Sequence, residues 1–70
     1  MQIHEKIKAF MKKSGASNLF VARETGIHPA SISLALLGKR KIAITEYVEI
    51  TKALRVPVDF FLKEEDDETV

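Results

Sequence analysis

The stretch SNLFVARETGIHPASISLALLGKRK, residues 17–41, predicts two short helices separated by a tight turn. Ser17 can cap the first of them, and Gly26 ends it after about two turns. Pro29 suits the first position of the second helix because its φ is fixed and it has no N–H, and His28 precedes it as a candidate cap. Gly38 ends this second helix, so both predicted helices begin and end at residues suited to helix termini.

Each helix of this pair has one apolar face at helical spacing. The inward residues are Val21, Ala22 and Thr25 in the first helix and Ile32, Ala35 and Leu36 in the second. Two short helices around a glycine-containing turn make a helix-turn-helix, in which the second helix enters the DNA major groove. The stretch therefore indicates a nucleic-acid partner.

Three more helices are predicted around this pair. The spacing of apolar residues marks one helix before it, one after it, and a short fifth helix that starts near Pro57. The inward residues are Ile3, Ile7, Phe10 and Met11 in the first helix and Ile44, Tyr47, Val48, Thr51 and Leu54 in the fourth. The expected fold is a compact all-α domain of about five helices over residues 1–63, followed at 64–70 by an acidic segment that we expect to be disordered.

The net charge of +1 conceals a strong division along the chain. Residues 1–41 contain eight basic residues against two acidic ones, a balance of +6, whereas residues 42–70 contain three against eight, a balance of −5. A basic half of this kind points to a polyanionic partner. The alternative is a solvated surface with an acidic segment that serves solubility.

Composition excludes several classes of protein. The chain has 70 residues and no cysteine, so it makes one domain at most and has neither disulfides nor thiolate–metal sites. No apolar run approaches the ~20 residues of a membrane span, and the charged N-terminal sequence is unlike a signal peptide, so we expect a soluble cytoplasmic protein. The only histidines, His4 and His28, have no carboxylates at ligand spacing, and no nucleophile stands with a base, so we expect no metal, no cofactor and no enzymatic activity.

Residues 17–41 resemble the core of the lambda-repressor-like (Xre/Cro) family of DNA-binding domains. The matching positions are Ala22, Gly26, Ile27, Ile32, Ser33 and Gly38. The segment EITKALRVPVDFFL, residues 49–62, resembles the last two helices of that family, so the likeness covers about residues 3–62. Residues 21–33 are also similar to the lac-repressor family, which however places its helix-turn-helix at the very N-terminus, whereas a whole helix precedes it here.

The resemblance implies which residues of the second helix of the motif face DNA. Many phage-type members read bases with polar side chains at its first, second and sixth positions, which here hold Pro29, Ala30 and Leu34. The remaining outward groups are single hydrogen-bonding side chains, at His28, Ser31 and Ser33, so we expect modest sequence discrimination with help from DNA shape. As an alternative, an apolar stripe of Ala30, Leu34 and Leu37 packs on another protein.

The basic run after this helix is the expected phosphate clamp. Lys39, Arg40 and Lys41 would hold the DNA backbone beyond the reading helix, and Asn18 would do so at the N-terminus of the helix before it. The alternative for the run alone is an ordinary exposed loop.

The sequence therefore predicts a sequence-specific regulator of transcription that binds double-stranded operator DNA as a homodimer and represses, as phage or mobile-element repressors do. The alternative is a protein-interaction module, such as an antitoxin or antirepressor component, with the same fold. His4 is expected to be exposed to solvent, and Met11 and Leu36 are expected to be buried in contact, where several relatives have a charged pair. Residues offered for the dimer contact are Phe60 or Phe61, Val58 and Ile50; the alternative is that both phenylalanines fill the core.

Overall fold

A computed structural model describes residues 1–62, and the acidic segment expected to be disordered lies outside these residues. Within them the chain forms four α-helices and no strand. They are α1 (Ile3–Ser14), α2 (Asn18–Thr25), α3 (Pro29–Leu36) and α4 (Ile44–Leu54). The all-α class is confirmed.

The fifth helix is a correction. Residues 58–62 form turns, in which the N–H of Phe60 donates to the Pro57 carbonyl and the N–H of Leu62 donates to the Asp59 carbonyl, each at 3.0 Å. These bonds span three residues, whereas an α-helix bridges four. Proline contributes no N–H to the first turn, and the segment is held by its side chains: Phe61 is buried and stacks edge-on against Phe10 with ring centroids 5.7 Å apart.

The core lies between α2 and its neighbours. Helix α2 packs against both α3 and α4, while α1 packs against α3. The inward residues predicted for α3 are all buried, and those of α2 are buried at Val21 and Ala22 and half-buried at Thr25. Met11 and Leu36 are both buried in the same apolar cluster, which confirms the burial predicted for each.

The first residue of the apolar face predicted for α1, and likewise for α4, lies outside the core, whereas the later residues of both faces are buried or half-buried. Ile3 and Ile44, predicted to point inward, are exposed, and Ile44 keeps 80% of its surface in water. Ile50, offered as a dimer contact, is buried instead. Tyr47, Ile50 and Thr51 form the buried stripe of α4 at i, i+3 and i+4, which leaves Ile44 one turn before the contact with the core.

The two neighbouring phenylalanines take different roles. Phe61 fills the core, so its prediction as a dimer contact is wrong, whereas Phe60 and Val58 remain exposed. The hydroxyl of Tyr47 donates to the carbonyl of Val58, which fastens the C-terminal turns to α4. This end of the domain therefore combines a fixed backbone with exposed apolar side chains.

Candidate nucleic-acid interface

The turn between α2 and α3 is held by local hydrogen bonds. The Ser17 hydroxyl caps α2 by accepting from the Phe20 N–H at 3.0 Å. Gly26 ends α2 with φ +80°, where a side chain would be strained. The hydroxyl of Thr25 donates to the Val21 carbonyl at 2.8 Å and accepts from the Ile27 N–H at 3.1 Å. The angle at which α3 leaves the turn is thus set by short-range contacts.

His28 caps the N-terminus of α3. Its Nδ1 accepts a hydrogen bond from the Ala30 N–H at 3.0 Å, and Pro29 occupies the first helical position. Because Nδ1 accepts, the neutral ring carries its hydrogen on Nε2, which can donate to a phosphate or a base edge. The predicted cap is confirmed, and the exposed ring leaves a donor at the end of the helix.

The outer face of α3 is neutral and uncovered. Ala30, Leu34 and Leu37 are exposed at i, i+4 and i+7, with Leu34 at 44% and Leu37 at 52%. Ser31 and Ser33 are half-buried on the same helix. The structure thus places the predicted reading residues on one helix but gives them a mainly apolar surface.

The segment after α3 is anchored to α1 at Gly38. Gly38 has φ +76°, and a Cβ built there would lie 2.6 Å from Nε2 of His4. His4 is therefore half-buried against this backbone, which corrects the expectation that it is solvent-exposed. The reason is tertiary: α1 packs on α3, so the first turn of α1 reaches the end of α3.

A second anchor joins this segment to α4. Arg40 makes a bidentate pair with Glu46, through Nη1 to Oε1 at 3.0 Å and Nη2 to Oε2 at 2.7 Å. The Glu46 carboxylate also accepts the Ala43 N–H at 3.0 Å, which caps α4. The hydrogen bonds from Arg40 and Ala43 hold the pKa of Glu46 below its ordinary value, and the bond to Glu46 raises the pKa of Arg40.

The three cations of the expected clamp therefore differ in whether their charge is paired. Lys39 and Lys41 are exposed, and neither takes part in the ion pairs found within residues 1–62. Arg40 has its charge compensated by Glu46 and fixes the path of the backbone between the two lysines. The basic run alone does not distinguish its three cations, but Glu46 at the third position of α4 indicates that one of them is engaged.

Arg23 is a candidate that sequence reasoning missed. It is exposed on α2 and lines a shallow groove of about 440 Å³ together with Leu19, His28 and Pro29. Asn18 is exposed at the first position of the same helix. The available signal was a cation on the outward side of α2, three residues before the turn glycine.

Other kinds of site find no support in the described part of the chain. Residues 1–62 contain no group of three metal-ligating side chains, and none of their helices is long and apolar enough to cross a membrane. The same residues leave no buried side-chain polar atom without a hydrogen bond. The features that remain are the neutral face of α3 and the cations beside it.

Comparison with known proteins gives one family. Neither the curated proteins nor the solved structures include a significant match. The family model described as helix-turn-helix matches residues 7–61, which run from the second turn of α1 to the buried Phe61. This match covers well over half of the chain and contains the α2–α3 unit whose caps and turn are described above. The chain belongs to the lambda-repressor-like (Xre) helix-turn-helix family of DNA-binding regulators.

Proposed function

We propose that this protein is a transcriptional repressor of the phage or mobile-element type, which binds double-stranded operator DNA with α3 in the major groove. The proposal rests on one observation, the arrangement of apolar and basic side chains along residues 28–41. A neutral, uncovered helix face is followed directly by two exposed lysines on a backbone fixed by His4 and Glu46.

The neutral face suits the groove for an energetic reason. Ala30 and Leu34 can enter without the cost of desolvating a charge, and their methyl groups can contact thymine methyls. The Nε2–H of His28 supplies one hydrogen bond, to a base edge or a phosphate. Pro29, Ser31, Ser33 and Leu37 complete the proposed reading surface. With so few donors and acceptors, discrimination between operators depends partly on DNA shape and deformability.

Phosphate contacts provide the position and most of the affinity. Lys39 and Lys41 lie immediately after α3, and the N-terminus of α2 at Asn18 favours an anion. Arg23 adds a cation on the other side of the turn. Arg40 stays in the proposed interface, where it holds the backbone between the two lysines while Glu46 compensates its charge.

The repressor acts as a homodimer in this proposal. One domain covers only a few base pairs, and its reading face offers few hydrogen bonds. Two copies on half-sites about 34 Å apart would double both the contact and the sequence that is read. Occupancy of the operator is then controlled by the concentration of the protein.

DNA fragments from around the gene that encodes this chain provide the test. We expect fluorescence anisotropy to detect a preferred fragment, with an affinity that falls steeply between low and moderate salt because cations are released from phosphates. Leu34→Gln should change which operator variants are preferred while leaving the melting temperature unchanged. Binding that is absent even at low salt would contradict the proposal.

A second function is favoured by one observation, the exposure of Leu34 and Leu37. An apolar stripe on α3 also fits a protein surface, as in an antitoxin or antirepressor component. In that case Leu34→Asp would abolish a protein complex, and removing the charges of Lys39 and Lys41 would leave it intact. The DNA-binding function predicts instead that removing these charges weakens binding and flattens its salt dependence, so the two functions are separable.

A further inference from the structure

His4 lies where the first turn of α1 meets the backbone that follows α3. Its ring faces Gly38 with three atoms: a Cβ built on Gly38 would lie 2.6 Å from Nε2, 2.9 Å from Cε1 and 3.2 Å from Cδ2. His4 and Gly38 also line a groove of about 850 Å³, together with Ile44 and Val58, and His4 is half-buried there. The ring therefore fills the space in which a side chain at position 38 would stand.

This contact is separate from the hydrophobic core. His4 is not one of the buried residues of the apolar cluster, and Gly38 has no side chain to contribute to it. What the ring touches is the backbone of one turn. Its effect is therefore expected on the conformation of that turn, more than on the packing of apolar side chains.

The turn at Gly38 sets the position from which Lys39 extends. The N–H of Gly38 donates to the Ala35 carbonyl at 3.0 Å. The N–H of Lys39 donates to the Leu34 carbonyl at 2.9 Å. Gly38 has φ +76°, and glycine has more backbone freedom than any other residue. Because the ring of His4 lies against this glycine, it excludes conformations that the turn would otherwise reach.

Lys39 stands between two anchors that come from different helices. On one side, α1 contributes the ring against Gly38; on the other, α4 contributes Glu46, whose carboxylate holds Arg40 in a bidentate pair. Lys39 itself is exposed and takes part in neither of the ion pairs within residues 1–62. Because the backbone on both sides is already fixed, less conformational entropy is lost when Lys39 binds a phosphate.

We propose that His4 is a positioning residue for DNA binding: its ring holds the turn at Gly38 so that Lys39 meets a phosphate, while His4 itself makes no contact with DNA. The inference rests on the proposed function and extends it to α1, which contributes no residue to the proposed interface. Two other roles make different predictions. A residue that only stabilises the fold changes the melting temperature but not the affinity of the folded chain, and a direct contact between His4 and DNA acts independently of Lys39.

The test is a double-mutant cycle on DNA affinity. The dissociation constant is measured by fluorescence anisotropy at low salt, on the DNA fragment that the native chain prefers and well below the melting temperature of every variant. We expect His4→Ala to weaken binding about threefold, the scale for ordering one long side chain, and to have no effect in the Lys39→Ala background. Arg23→Ala is the matched control, because Arg23 is an exposed cation on α2 that does not line the groove with His4. The loss caused by His4→Ala should persist in that background.

The outcomes separate this inference from the proposed function. Equal affinity of the native chain and His4→Ala would overturn the positioning role. The same holds for a loss that persists in the Lys39→Ala background, or that disappears in the Arg23→Ala background as well. His4→Asn also withdraws the ring from the backbone, and it replaces His4→Ala if circular dichroism shows that the alanine variant is unfolded. A native chain that binds no DNA even at low salt would instead refute the proposed function, and this inference with it.

Discussion

Gly38→Ala tests whether the segment after α3 is held by α1. The new methyl would be strained at φ +76°, which costs roughly 1–2 kcal/mol for a residue with a Cβ. It would also lie 2.6 Å from Nε2 and 2.9 Å from Cε1 of His4, well inside the ordinary contact distance of about 3.5 Å. Because the imidazole ends a rotatable side chain, it can turn away at a further cost of about 1 kcal/mol.

Gly26→Ala is the matched control for this substitution. Gly26 has φ +80°, but nothing lies within 4 Å of the added Cβ, so only the backbone strain applies. We expect urea unfolding followed by circular dichroism to give a loss of about 2–3 kcal/mol for Gly38→Ala and about 1–2 kcal/mol for Gly26→Ala. The His4→Ala background should abolish the difference between the two, as in a double-mutant cycle. Equal losses in the native background, or a difference that survives His4→Ala, would refute the contact.

Three further experiments test the clamp, the ion pair and the core. Replacing Lys39 and Lys41 together by alanine should flatten the plot of log K against log salt by roughly 0.9 for each phosphate that is no longer neutralised, with no change in melting temperature; an unchanged slope would remove both lysines from the interface. The lowered pKa of Glu46 means that the stability contributed by its pair with Arg40 is complete above its ordinary pKa of 4.5 and is lost as pH falls through the lower folded-state value. Glu46→Gln should therefore reduce the dependence of the melting temperature on pH below 4.5, and identical profiles would contradict the pairing. Leu36→Ala should cost ~2–5 kcal/mol because Leu36 is 6% exposed, whereas Leu34→Ala on the outer face should cost far less; similar losses by urea unfolding would show that the faces of α3 are misassigned.

The α2–α3 unit could be predicted from sequence because its determinants are local. Ser17 and His28 bond to backbone groups within three residues, and Gly26 takes the positive φ that its type favours. The apolar spacing of α3 likewise identified the buried face correctly at Ile32 and Leu36. Contacts of this kind join residues within one or two helical turns, so a local sequence pattern is enough to predict them.

The exposure of Ile44 and the burial of His4 could not be predicted, because both depend on contacts between residues that are distant in the sequence. Ile44 satisfies the helical spacing of α4 as well as Ile50 does, and only the packing of α4 against α2 decides which of them is buried. The placement of His4 over Gly38 joins residues 34 positions apart, which no local pattern reports. The pairing of Arg40, by contrast, joins residues only six positions apart, and Glu46 in the first turn of α4 was a local sign that one cation of the run is engaged.

Whether α3 is the surface that meets DNA can be measured by titrating DNA into the ¹⁵N-labelled chain and recording the chemical shift of each backbone amide. We expect shifts at the start of α2, from Asn18, and throughout residues 28–41, with much smaller changes at the core-facing amides of α4. The same pattern should weaken when Lys39 and Lys41 are replaced by alanine. Shifts confined to the groove lined by Ile44 and Val58, with none along α3, would contradict the claim that α3 is the surface that meets DNA.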